Sequence, residues 1–132
     1  MNIPEFLKTI YLGDRGCKSI LIDGWCDEVK IQVNCISRVR DETWNYYIKE
    51  DLDDGYIVFE GVRSISIKPD GVIPNGFVND ISAELVNENE YLIKLNIDAD
   101  TSDGFHDGAE IEIIAKSMSL EDKLKPGVRI HQ

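Results

Sequence analysis

Residues 17–40 read Cys17-Lys-Ser-Ile-Leu-Ile-Asp-Gly-Trp-Cys-Asp-Glu-Val-Lys-Ile-Gln-Val-Asn-Cys-Ile-Ser-Arg-Val-Arg40. Val29, Ile31, Val33 and Cys35 alternate with Lys30, Gln32 and Asn34. Alternation with a period of two places successive side chains on opposite faces of a strand, so this run has one buried and one wet face. Leu21 and Ile22 lead into Gly24 and Trp25, and the stretch reads as a β-hairpin. In the simplest register Ile20 and Ile22 share a face with Val29, Ile31, Val33 and Cys35. Cys17 then falls on the opposite face, and a Cys17–Cys35 disulfide is not expected.

The same alternation recurs outward from the hairpin. Trp44, Tyr46 and Ile48 predict a strand with an aromatic face. Tyr56–Glu60 is apolar throughout and reads as a central strand, broken or bulged at Gly61. Ile65 and Ile67 share a face of the next strand. Ile81, Ala83 and Leu85 point one way, as do Tyr91, Ile93, Leu95 and Ile97, and then Ala109, Ile111, Ile113 and Ala115. Ser119 is a candidate cap for a short turn at 120–124. Before the hairpin, Pro4 and Glu5 suit a helix start. Ile3, Phe6, Leu7 and Ile10 lie at helical spacing ahead of Gly13. The expectation is a mainly β protein: an antiparallel sandwich or partly open barrel of about eight strands with a short N-terminal helix. Pro69-Asp70-Gly71 and Pro74-Asn75-Gly76 mark one long loop, but halves of about 70 residues are small for separate cores. A single domain over 1–132 is expected.

Composition narrows the partners. The 132 residues carry 25 acidic and 14 basic side chains, a net charge of −11. Such a polyanion repels nucleic acid and anionic membrane surfaces and favours a basic protein partner, a cation or plain solubility. No apolar run approaches the ~20 residues of a membrane span, and no leader pattern opens the chain, so a cytoplasmic location is expected.

Catalytic and metal patterns fail one by one. His106 lies in a polar loop and His131 near the end of the chain, with no H-x-x-x-H spacing. Cys17, Cys26 and Cys35 lack the close pairing of a zinc site, and no cofactor motif occurs. The loop from Asp98 to Gly104 invites a calcium reading, but the EF-hand template fails at its glycine and its final glutamate. No metal, no cofactor and no enzymatic activity are expected. What remains is charge. Between Lys94 and Lys116 there is no basic residue, while Asp98, Asp100, Asp103, Asp107, Glu110 and Glu112 supply acids. Asp98, Asp100, Asp103 and Asp107 are the first candidates for contacting a basic partner, with Asp51, Asp53 and Asp54 next. Trp44, Tyr46 and Tyr47 are candidates for an alternative role, stacking on a sugar in a sandwich module that binds carbohydrate or a cation.

Three stretches together carry a resemblance: 6–18 (Phe-Leu-Lys-Thr-Ile-Tyr-Leu-Gly-Asp-Arg-Gly-Cys-Lys), 34–40 with its Ile-Ser-Arg core, and 55–75 with Ile-Val-Phe-Glu-Gly-Val and Ile-Pro-Asn. They resemble an uncharacterised family of small acidic bacterial proteins, which is similar to the immunity proteins encoded beside toxins of bacterial competition systems. The resemblance implies a toxin domain as the basic partner, held off by occlusion, and it transfers no site residue.

Overall fold

The computed structural model describes residues 1–41, 48–99 and 108–132. The long hairpin forms as its pattern requires. β2 (Cys17–Asp23) and β3 (Glu28–Val33) pair antiparallel, with Ile20 opposite Ile31 and Ile22 opposite Val29. The tip is turned by Asp27 at φ 55, while the Asp23 carboxylate accepts the Cys26 amide at 3.0 Å.

One shift separates this hairpin from its simplest register. A bulge between Cys17 and Ser19 brings Cys17 opposite Val33 and turns it into the core, where it is 7% exposed. An inserted residue reverses the facing of everything beyond it, which is why strict alternation misplaces Cys17. At the other end the ladder breaks at Asn34. The chain leaves β3 and enters β4 (Cys35–Arg38), where Ile36, not Cys35, is buried. All three cysteines are free thiols.

β6 (Tyr56–Glu60) is central, as its composition predicts, lying between β3 and β11 (Ser117–Glu121) in a five-stranded sheet. β12 (Arg129–Ile130) and β2 form the edges of that sheet. A second sheet runs β7 (Ser64–Lys68), β10 (Ala109–Ala115), β9 (Tyr91–Ile97), β8 (Val78–Leu85). A third is small: β1 (Ile10–Tyr11), β4 and β5 (Leu52–Asp53). Every pairing is antiparallel, and the fold is a β-sandwich rather than a closed barrel among the described residues. The Ser119 cap is corrected: Ser119 sits fully buried in mid-strand, opposite Val58. Met118 and Leu120 alternate inward around it, and that strand pattern outweighs the local capping signal.

The two large sheets are joined at a corner. β6 continues into β7 through Gly61–Arg63, and β10 into β11 through Lys116 alone. The two strands turn together, tied by Lys116 N to Glu60 O at 3.0 Å and Arg63 N to Ile114 O at 2.8 Å. Gly61 takes φ 63, and a Cβ there would meet the Lys116 side chain at 3.0 Å, so the bend favours glycine. On the far side, Gly16 bridges Phe77, and the Cys17 and Val78 amides bond to Gly76 O and Arg15 O.

Between the sheets lie Ile31, Ile57, Phe59, Ile93, Leu95, Ile111, Ile113 and Leu120, all nearly or fully inaccessible. Each such side chain contributes about 1.5–3 kcal/mol on leaving water. α1 (Ile3–Leu7) packs against β8 and β11, adding Ile3 and Phe6 to the core. It is shorter than the apolar spacing suggests. Its capping box of Asn2 and Glu5 starts it well, but Ile10 and Tyr11 are taken by pairing with Arg38 and Ser37. Leu85, expected inward, is 59% exposed at the end of its edge strand. Trp44 and Tyr46 of the expected aromatic strand lie outside the described residues, and Ile48 belongs to no strand.

Candidate functional site

The two large sheets treat charge in opposite ways. On the outer face of the five-stranded sheet, acids and bases neutralise each other at contact distance. Arg129 reaches Glu28 at 3.1 Å, Glu60 at 3.5 Å and Glu121 at 3.0 Å, and Lys30 reaches Glu121 at 3.2 Å. Burial alone would raise the Glu121 carboxyl. Hydrogen bonds from Lys30 and the Gly127 amide, with the charges of Lys30 and Arg129, outweigh it and hold the group below the usual range.

The outer face of the four-stranded sheet is different. Register sets its rows: Asp80, Asn96, Glu110 and Lys68 lie side by side, as do Ser82, Lys94, Glu112 and Ser66, then Glu84, Leu92, Ile114 and Ser64. Asp80, Glu84 and Glu110 are exposed and Glu112 is half-buried. The amines on this face are Lys68 and Lys94, and among the described residues the ion pair here is Lys94 with Glu84 at 3.9 Å. Between the rows lies a shallow cleft of about 190 Å³ lined by Asp80, Ser82, Lys94, Asn96, Glu110 and Glu112. The acids of this face stand on β8 and β10, with Lys94 of β9 opposite Glu112 and Lys68 of β7 opposite Glu110, so among the described residues four carboxylates face two amines.

Asp98 adjoins that face. The Asn79 amide donates to both Asn96 at 3.2 Å and the Asp98 carboxylate, tying the end of β9 to the bulged start of β8. Of the remaining sequence candidates, Asp51, Asp53 and Asp54 sit at β5. Asp54 is bonded to Lys18 at 2.7 Å and approached by Lys123 at 3.7 Å, and these contacts lower its carboxyl. Asp51 accepts the Arg38 and Ile48 amides at 2.8 and 3.2 Å, while Asp53 is exposed. Asp100, Asp103 and Asp107, His106, and the aromatics Trp44, Tyr46 and Tyr47 lie outside the described residues.

Sequence reasoning passed over Asp80 and Glu84. Their signal was present, since both alternate with Ile81 and Ala83. What it lacked was the pairing of β8 with β9 and β9 with β10, which brings the acids of β8 and β10 onto one face. For a metal, the described residues bring Asp23, Cys26 and Glu28 within 4.8 Å at the hairpin tip. Both Glu28 oxygens are already taken by Arg129 at 3.1 and 3.3 Å, and the Asp23 carboxylate beside it raises the Cys26 thiol further from its thiolate form.

The geometry defines a class: an antiparallel β-sandwich with one self-neutralised sheet face and one open acidic face. The chain belongs to the family described as Family of unknown function (DUF6258), whose pattern it matches over residues 1–132. No curated protein and no solved structure matches it. Among the described residues, no helix is long and apolar enough to cross a membrane.

Proposed function

We propose that this protein is a non-enzymatic binding protein that covers a basic surface of another protein, in the manner of a bacterial immunity protein occluding a toxin. The open acidic face of the four-stranded sheet is the docking surface, with Asp80, Glu110 and Glu112 at its centre and Asp98 at its margin. The observation that carries this reading is the contrast between the sheets: among the described residues, carboxylates are closely paired on one, while on the other the ion pair is the 3.9 Å contact of Lys94 with Glu84. A rigid sheet holds such charges without ordering cost, and their field acts over about 8–10 Å in physiological salt, which accelerates encounter with a cationic partner. A cytoplasmic location, where a toxin would meet its antidote, goes with this reading.

The test uses the product of the reading frame adjacent to this one. Co-expression of the chain should protect cells against that product. In vitro, the D80N/E110Q/E112Q variant should associate about tenfold more slowly at low salt and lose most of its salt dependence. A neighbouring product that is harmless, or association equally fast for the variant, would refute the assignment.

A further inference from the structure

The acidic face runs out to an open edge. β8 is the outermost strand of the four-stranded sheet and, at eight residues, the longest strand described. Val86 N donates to Glu90 O at 2.9 Å, and past the bulge Asp98 N donates to Phe77 O at 2.9 Å. In an antiparallel ladder successive residues turn their main-chain groups to opposite sides. Counting back from Val86, Glu84, Ser82 and Asp80 bond to β9, while Ile81, Ala83 and Leu85 turn their N–H and C=O groups outward. Among the described residues no strand or loop receives them. The start of the edge is closed, since Val78 N donates to Arg15 O at 2.8 Å. Beside it a trough of about 220 Å³ lies between residues 12–13 and 78–81.

An unpaired row of main-chain donors and acceptors is a template for another strand, and proteins blunt such edges with lysine, proline or brevity. The other edges of the two large sheets carry those devices. β7 ends in Lys68 before Pro69, β12 has two residues, and β2 carries Lys18 at its bulge. β8 has no lysine, arginine or proline. Its charges are Asp80 and Glu84, both exposed on the outer face, while Ile81 and Ala83 are half-buried on the inner face and Leu85 is exposed. Those two carboxylates also select the occupant. With a second copy of this chain, the antiparallel register centred on Ser82 would set Asp80 opposite Glu84, and like charges directly opposite are destabilising. A basic strand reverses the sign.

We propose that a strand of the basic partner adds to β8 along residues 81–85. This rests on the docking face described under the proposed function and specifies how the partner is held. Main-chain bonds to Ile81, Ala83 and Leu85 give affinity, and alternate side chains give specificity. Lysine or arginine stands opposite Asp80 and Glu84, with apolar residues opposite Ile81, Ala83 and Leu85. The recognised pattern is basic, apolar, any, apolar, basic, apolar. It covers Leu85, which the fold leaves largely outside its core.

Amide hydrogen exchange, read residue by residue in the full chain, tests this with the synthetic heptapeptide Val-Lys-Val-Thr-Val-Lys-Val. Its side-chain order is the same in both directions, so it suits a parallel or an antiparallel strand. It should slow exchange at Ile81, Ala83 and Leu85 about tenfold or more. Lys-Lys-Val-Val-Val-Val-Thr has the same composition but puts its lysines on opposite faces, and should not. Ala83→Pro removes an outward N–H and leaves the ladder to β9 intact, so it should weaken peptide binding about tenfold. The wild-type exchange measurement stands whether or not that variant folds. Unchanged exchange at the three amides in excess peptide, or equal protection by the shuffled peptide, would overturn the proposal. The two readings fail separately. Slowed association of D80N/E110Q/E112Q with the adjacent product, without protection of the three amides in that complex, would leave the docking face standing and refute strand addition. Protection by the peptide beside a harmless adjacent product would support the edge and refute the toxin reading.

Discussion

Arg129 grips Glu28 across 101 positions of the chain, its two terminal nitrogens donating to the two carboxylate oxygens at 3.1 and 3.3 Å. The same guanidinium reaches Glu60 and Glu121, so one side chain from an edge strand neutralises acids on three neighbouring strands. Arg129→Met would leave those acids facing one another. The loss expected is about 2 kcal/mol, below that for a fully buried pair because both partners retain some exposure. Urea unfolding measures it, and adding Glu28→Gln should restore part of the loss.

Acid should act on this network before it acts on the core. Glu121 titrates below the usual range in the folded chain. A depressed carboxyl contributes stability that is fully present above the ordinary glutamate value of about 4.3 and is lost as pH falls through the lower folded value. Unfolding free energy should therefore change little from pH 7 to 5 on this account and decline below that. Glu121→Gln should lower the neutral-pH plateau and flatten the acid slope. A slope of unchanged steepness would show that other carboxylates carry it.

Gly61 offers a test of the corner. Any side chain there must adopt φ 63 while pressing on Lys116. Gly61→Ala should cost about 1–3 kcal/mol in thermal or urea unfolding. Gly24, at the hairpin tip with open space around its Cβ position, serves as the control, and Gly24→Ala should stay within about 0.5 kcal/mol.

Much of the sandwich was legible because its strands alternate strictly. Val29, Ile31 and Val33 announced a buried face, and Tyr56–Glu60 a central strand, through side-chain chemistry alone. The errors have a common origin. Cys17, Ile10 and Ser119 were judged by local pattern, and each is placed by a partner distant in sequence: Val33 across a bulge, Arg38 in a short ladder, Val58 across the sheet. The candidate sites were less legible for the same reason. Charge runs are visible along a chain, but whether an acid is neutralised depends on strand neighbours. Asp54 looked free and is bonded to Lys18, whereas Asp80 attracted no notice and faces Asn96 beside Glu110.

The corner at Gly61 and Lys116 also fixes how the chain can be divided. The loop 69–77, with its two Pro-x-Gly turns, is the obvious place to cut. Yet the segment before it supplies β2, β3 and β6 to one sheet and β7 to the other, while the segment after it supplies β11 and β12 to the first and β8–β10 to the second. Neither fragment would own either of the two large sheets complete. Separated, each would expose half of a shared interior; mixed, each would template the missing strands of the other. The molecule is in this sense a two-piece complementation pair joined by a tether, and its halves would report their own reunion.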